Sequence, residues 1–284
     1  MSEAARAIRP NRTKVVQDAP SPGPDLAGRA LLDGITVDFG PVDHLGRFFL
    51  LADAAVRRCG VTLSFGTMPE LVAVNKRNSD TWRPLLPIFD QTFCALDGSN
   101  SFVLLGRDNA GEVVATQAAR LFLWPESTFA QEATSLRLFY DDVDEHRLPN
   151  EEVRITARSA WDVTGRVTYS GGVWLRPDYR GRLLTAILPR ISRALAFTKW
   201  YTDYTTTIMA ERIVASGVAA RCGYSQVGWD LTLDQTRTGT VRCALLTMTT
   251  AEMLSDLSTF LQQFGSEVDG RVDDGAVQQP HAAA

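Results

Sequence analysis

Apolar and polar positions alternate along this chain in two rhythms, one helical and one extended. Helical spacing opens at Asp43, puts Leu45, Phe48, Phe49, Ala52, Ala55 and Val56 on one face, and stops at Cys59-Gly60. A second helical stretch spans 68–76. Pro84 and Pro87 then interrupt the pattern, so 82–89 reads as an ordered loop. Two β-rich runs at 101–106 and 112–122, joined by turn residues 107–111, predict a hairpin. Residues 126–150 carry acids and room for a short helix or strand, and 163–175 alternates before turning apolar, as a strand entering a buried position does. Leu184, Ile187, Leu188, Ile191 and Leu195 return to helical spacing, with Pro189 inside expected to kink the helix or delay its start. A strand at 205–210, a helix at 211–221 closed by Cys222-Gly223, and strands from 224 and at 241–248 follow. An amphipathic helix at 250–264, capped by Thr249 or Thr250, comes last. A hairpin followed by alternating strands and helices predicts an α/β (α+β) chain with a mixed sheet and helices on both faces.

Composition bounds this picture. The chain has 284 residues, 45% of them hydrophobic, enough for one core. The Pro-, Ala- and Arg-rich segment 1–30 reads as a disordered arm and the Gly-, Asp- and Ala-rich segment 265–284 as a disordered tail, leaving one domain over 31–264. A net charge of −4 and the lack of an aromatic-basic stripe argue against nucleic acid. No apolar run is long enough to span a membrane, so a cytoplasmic protein without membrane contact is expected. Cys59, Cys94, Cys222 and Cys243 are widely spaced and His44, His146 and His281 sit in unrelated contexts, so no metal site is expected.

Local charge is different between Gly171 and Lys199, where six cations (Arg176, Arg180, Arg182, Arg190, Arg193, Lys199) face one acid, Asp178. An apolar run containing Gly171-Gly172 stops at Pro177, a basic turn Arg180-Gly181-Arg182 follows, and a helix begins. Strand, glycine-containing basic turn and helix can hold a phosphate on backbone N–H groups and the helix dipole. The same residues can also simply join a strand to a helix with a solvated face. Gly171-Gly172 suits either a bulge that lets a ligand approach the strand or a bend needed for packing.

Residues 175–185, LRPDYRGRLLT, resemble the acyl-coenzyme A signature of the GNAT superfamily of N-acyltransferases, a strand ending near a proline and then R/Q-x-x-G-x-G/A opening a helix. Ala215, Ala219 and the run RCGYSQVG at 221–228 resemble that family's next helix-to-strand stretch, with Cys222-Gly223-Tyr224 in place of L-G-F. The resemblance implies a GNAT-like mixed, mostly antiparallel central sheet whose fourth and fifth strands splay apart around the pantetheine arm. Trp174 and Leu175 would then contact pantetheine through their backbone, and Arg180, Gly181, Arg182, Leu183, Leu184 and Thr185 would hold the pyrophosphate. Leu183 stands where the family has glycine, and Thr185 where it has glycine or alanine.

The implied function is transfer of an acetyl group from acetyl-CoA, or of another acyl group from its acyl-CoA co-substrate, to an amine of a small molecule or peptide by direct attack on the thioester. The family's proton-donating tyrosine falls on Ala219. Tyr169, near the thioester end of the fourth strand, and Tyr224 are the alternative catalytic candidates, each also suited to a core role; Ser170 lies beside the first. Other readings are a catalytically silent GNAT-like domain that binds a CoA derivative or a protein partner as sensor or scaffold, and a transferase with a longer acyl or an aminoacyl donor. A homodimer is one option for its assembly. The acceptor side falls to the first helices and to loops over 60–100 and 124–150, where Trp82, Phe89, Phe93 and Trp124 could line a pocket or fill a core.

Overall fold

The computed structural model describes residues 26–269, with side chains placed through Gln263. The first 25 residues of the expected arm and the tail after Asp269 lie outside the described residues. Helix α1 (Val42–Arg58) buries the face read from its spacing, and β1 (Thr62–Gly66) follows it. Helix α2 (Met68–Arg77) starts on a capping box in which Thr67 and Glu70 bond each other's backbone N–H. The hairpin is present as β2 (Ser101–Arg107) and β3 (Val113–Trp124). After α3 (Phe129–Thr134) come β4 (Glu152–Ile155), β5 (Gly165–Leu175), α4 (Leu184–Trp200) and β6 (Tyr204–Ala210). Two short helices, α5 (Glu211–Ala215) and α6 (Val218–Arg221), lead to β7 (Gln226–Thr236), β8 (Gly239–Thr249) and α7 (Thr250–Asp269).

The strands form one sheet in the order β1-β2-β3-β5-β6-β8-β7-β4. Every junction is antiparallel except β5 with β6. Residues 28–31 run along the outer edge of β1, where the Gly28 and Leu31 N–H groups donate to Phe65 and Leu63. One face is covered by α1, α4 and α7 through Phe48, Ile187, Leu188, Phe197, Trp200 and Leu257. The other is covered by α2, α3 and the intervening loops through Leu71, Ile88, Phe89, Phe129, Leu138 and Tyr140. This is the mixed sheet with helices on both faces that the pattern predicted. Among the described residues no helix is long and apolar enough to cross a membrane.

Several elements differ from expectation. Strands β1 and β4 were not foreseen, being only five and four residues long. The helix expected over 211–221 is broken at Gly217, whose φ of +78° is left-handed. Pro189 neither delays nor splits α4, which starts at Leu184. A proline there leaves the Thr185 carbonyl without its N–H donor, and the Cys222 thiol donates to that oxygen at 3.4 Å. Thr249 caps α7 in a reciprocal box with Glu252, as foreseen, but the helix runs on to Asp269.

Candidate active site

The parallel junction is short. Val167, Thr168 and Tyr169 of β5 pair with Tyr204, Thr205 and Thr206 of β6, and there the pairing ends. Strand β5 continues to Leu175 alongside β3, and β6 continues to Ala210 alongside β8. The two strands therefore part into a V-shaped slot, and from Thr207 onward β6 changes from buried to half-buried. These are the splayed fourth and fifth strands of the expected pattern, numbered β5 and β6 here because β4 was not foreseen.

Gly171-Gly172 forms a bulge where β5 pairs with β3, at the level where β6 has parted from its other edge. Ala118 pairs with Gly171 and Thr116 with Trp174, so Gly172 and Val173 together oppose Gln117. Gly172 has φ +60°, and a Cβ there would lie 3.1 Å from that of Ala118. The Gln117 amide donates to the Gly171 carbonyl at 3.1 Å and the Thr116 hydroxyl to that of Gly172 at 2.7 Å.

At the mouth of the slot the basic turn leads into α4. Among the described residues the backbone N–H groups of Gly181, Arg182, Leu183, Leu184 and Thr185 have no acceptor; the first paired one is that of Ala186, to Leu183 at 2.9 Å. Five consecutive free amides thus stand at the positive end of a 17-residue helix. The arginine side chains hold the turn itself. Arg180 donates to the Leu175 carbonyl at 3.1 Å and to that of Thr81 at 3.2 Å, and Arg182 donates to Cys59 at 3.0 Å over the Tyr179 ring. Leu183 projects into solvent at 37% exposure, so its bulk stays outside the turn, whereas the Leu184 side chain is wholly core. Trp174 stacks on Trp82 at 5.7 Å and donates its indole N–H to Thr81, so residues 81–83 lie over the end of β5.

Tyr169 stands at the closed end of the slot, whereas Tyr224 packs in the core on the opposite face of the sheet. Tyr169 packs against Phe89, and its hydroxyl accepts the Ile208 N–H of β6 at 3.1 Å. Burial pushes its pKa well above the ordinary tyrosine value, with the Ile208 N–H opposing, so it keeps its proton. Tyr224 belongs to the opposite core, with the Arg193 guanidinium 4.9 Å from its ring centre, and burial raises its pKa too. On the Tyr224 side the Ser170 hydroxyl contacts Ser192 of α4 at 3.2 Å and accepts from Gln117 at 3.0 Å.

Sequence reasoning missed Gln117, Thr168 and Ser192, and counted Arg193 only among the cations of a helix face. One signal was available: Ser192-Arg193 sits between Ile191 and Ala194-Leu195 on a helix apolar nearly all round, where a charge must be buried. Two cavities of about 320 Å³ each lie elsewhere, one among β4, β7, β8 and Glu211, the other between α2 and residues 90–92. Neither includes a residue of the slot, which is defined by strands that part. Among the described residues no group of three or more His, Cys, Asp or Glu is placed to hold a metal.

No protein-family model matches the chain, and neither does any curated protein. Solved structures similar to it include Mycobacterium smegmatis RimJ in complex with CoA-disulfide, at 13% identity and TM-score 0.37 over 70% of this chain and 88% of that one. Spermidine N-acetyltransferase from Vibrio cholerae in complex with CoA and spermine matches at 10% identity and TM-score 0.38 over 69% and 98%. AAC(6')-Ib in complex with ribostamycin and coenzyme A matches at 15% and 0.37 over 68% and 95%. The chain's own sheet, with one parallel junction that opens into a slot beside a bulge and a free helix N-terminus, has the GNAT-like architecture that its motifs implied.

Proposed function

We propose that the protein is an N-acyltransferase that takes its acyl group from a coenzyme A thioester and passes it to the amine of a small molecule or peptide. The observation that carries this reading is the slot: two parallel strands stop pairing at Tyr169 and Thr206 while both continue, so that β5 beyond Tyr169 has no β6 partner on that side and leads to five free amides. Those amides, from Gly181 to Thr185, would hold the pyrophosphate, and the backbone around Trp174 and Leu175 would pair with the pantetheine arm. The free amine attacks the thioester carbonyl, a C–N bond forms, and the C–S bond breaks. The proton lost by the amine balances the one taken up by the departing thiolate. Tyr169 is the proposed proton donor to that sulfur, because its hydroxyl accepts from Ile208 and keeps its own proton to give.

A second reading, a silent domain that binds a CoA derivative or a protein partner, is favoured by one observation: Ala219 holds the position of the family's usual acid and is buried. Calorimetry with acetyl-CoA, followed by thiol release over a panel of amines, separates the two. Binding with release supports the transferase, and binding without release across the panel supports the sensor. No binding at millimolar ligand overturns the acyl-CoA site.

A further inference from the structure

The cavity of about 320 Å³ among β4, β7, β8 and Glu211 borders the open end of the slot, and its size suits a small molecule. Glu211 follows Ala210, the last residue of the β6 wall, and Cys243, also in the lining, is the β8 partner of Ala210. The strand register links the cavity to Tyr169. The Tyr169 hydroxyl accepts from Ile208, Ile208 pairs with Leu245, and Cys243 lies two residues farther along β8 on the same face. Two strand residues span about 7 Å, so a short chain seated in the cavity could reach the level of Tyr169.

A second bulge supplies part of the lining. Gly228 pairs with Leu245 and Leu231 with Cys243, so Trp229 and Asp230 together oppose Ala244. Both line the cavity. Trp229 is 45% exposed, and Asp230 has φ +69° with its carbonyl accepting the Thr156 N–H at 3.1 Å. Four charged residues belong to the lining: Arg154, Glu211, Asp230 and Arg242. Arg154 is answered by Glu152 at 3.1 Å and Asp234 at 3.0 Å, and Arg242 faces Glu211 at 3.8 Å. Among the described residues the Asp230 carboxylate has neither ion pair nor hydrogen bond. Arg83 approaches Cys243 from the loop over the end of β5 but is not part of the lining. The charge left unanswered in the lining is therefore negative and stands next to a tryptophan open to solvent, a pairing that favours a cation over an anion or an alkyl end.

We propose that this cavity receives the far end of the acceptor and that this end is a second ammonium, so that the acceptor is a diamine, one amine reaching the thioester beside Tyr169 and the other seated by Trp229 and Asp230. The proposal rests on the reading of the slot as an acyl-CoA site and names its acceptor class. The reacting amine exchanges a proton for the acyl group, the departing thiolate takes a proton up, and the second amine keeps its own throughout. Calorimetry on the full chain, first with CoA and then with amines at saturating CoA, tests it. Hexylamine, 1,6-diaminohexane and 6-aminohexanoate are similar in length and carry apolar, cationic and anionic far ends. The diamine is expected to bind more tightly than hexylamine by on the order of tenfold, and 6-aminohexanoate more weakly than either. Asparagine tolerates the same left-handed φ, so Asp230→Asn should remove most of that preference without disturbing the bulge, and Trp229→Leu should shrink it. No binding of the diamine, equal affinity for diamine and hexylamine, tighter binding of 6-aminohexanoate, or the full preference surviving in either folded variant overturns the acceptor class while leaving the CoA site standing. Failure of CoA itself to bind overturns that site and, with it, the cavity's part in acyl transfer.

Discussion

At the scale of single residues, the slot depends on backbone that a side chain would spoil. Gly172 turns the bulge with a left-handed φ of +60°, and its missing Cβ leaves room for Ala118 on β3. Gly172→Ala would have to hold an L-residue in a conformation it rarely adopts while pressing on a neighbouring strand. It is expected to cost about 1–3 kcal/mol of stability, read by urea denaturation, and to weaken acetyl-CoA binding by more than Val173→Ala, a change at the exposed residue beside it. Equal affinities in the two variants would show that the bulge plays no part in binding. The sequence made this residue legible as a bulge or a bend but could not choose, because the choice depends on Gln117 and Thr116, more than 50 positions away on β3.

At the scale of elements, the long periodic segments were legible and the short or interrupted ones were not. α1, α2, the β2–β3 hairpin, β5 and β8 carry enough residues to show their period, whereas TLSFG and EVRI alternate inward and outward residues over too few positions for the period to stand out. Residues 78–86 illustrate the same limit. Their prolines mark a loop, but only the fold shows Trp82 stacked on Trp174 of β5 and Arg83 near enough to β8 to act on the Cys243 thiol. This strap spans the mouth of the slot, and Asn75 of α2 ties it down, donating to the Arg83 carbonyl at 2.8 Å and accepting from the Leu85 N–H at 3.2 Å. Asn75→Ala should cost about 1–3 kcal/mol through the unpaired backbone groups it leaves. It should also speed hydrogen exchange at Leu85 while leaving exchange in the β2–β3 hairpin unchanged. Unaltered exchange at Leu85 would mean that the tryptophan stack and the hydrogen bonds to Thr81 hold the strap without Asn75.

At the scale of the whole molecule, distant segments are joined by charges that no local pattern reveals. Arg190 and Asp256 lie 66 positions apart and fasten α4 to α7, and Glu252 joins the start of α7 to Gln226 at the start of β7. Glu252 and Glu132 respond to acid in the same direction. Burial alone would raise both pKa values. For Glu252 the Thr249 N–H and the Gln226 amide outweigh it, and for Glu132 the Arg137 guanidinium does, so both carboxyls sit below the usual value of 4.5. A carboxyl whose folded pKa is depressed contributes stability that is present above the unfolded pKa and is lost as pH falls through the folded one. The melting temperature is therefore expected to hold from pH 7 down to about 4.5, where an unfolded glutamate begins to protonate, and to fall below it. Glu132→Gln and Glu252→Gln should each lower it near neutrality, fall less steeply in acid, and approach the parent protein at pH 3, where the carboxyls are protonated in both states. Calorimetric scans across this range check the sign. Variants that fall as steeply as the parent between pH 5 and 3 would place the acid sensitivity in other carboxylates.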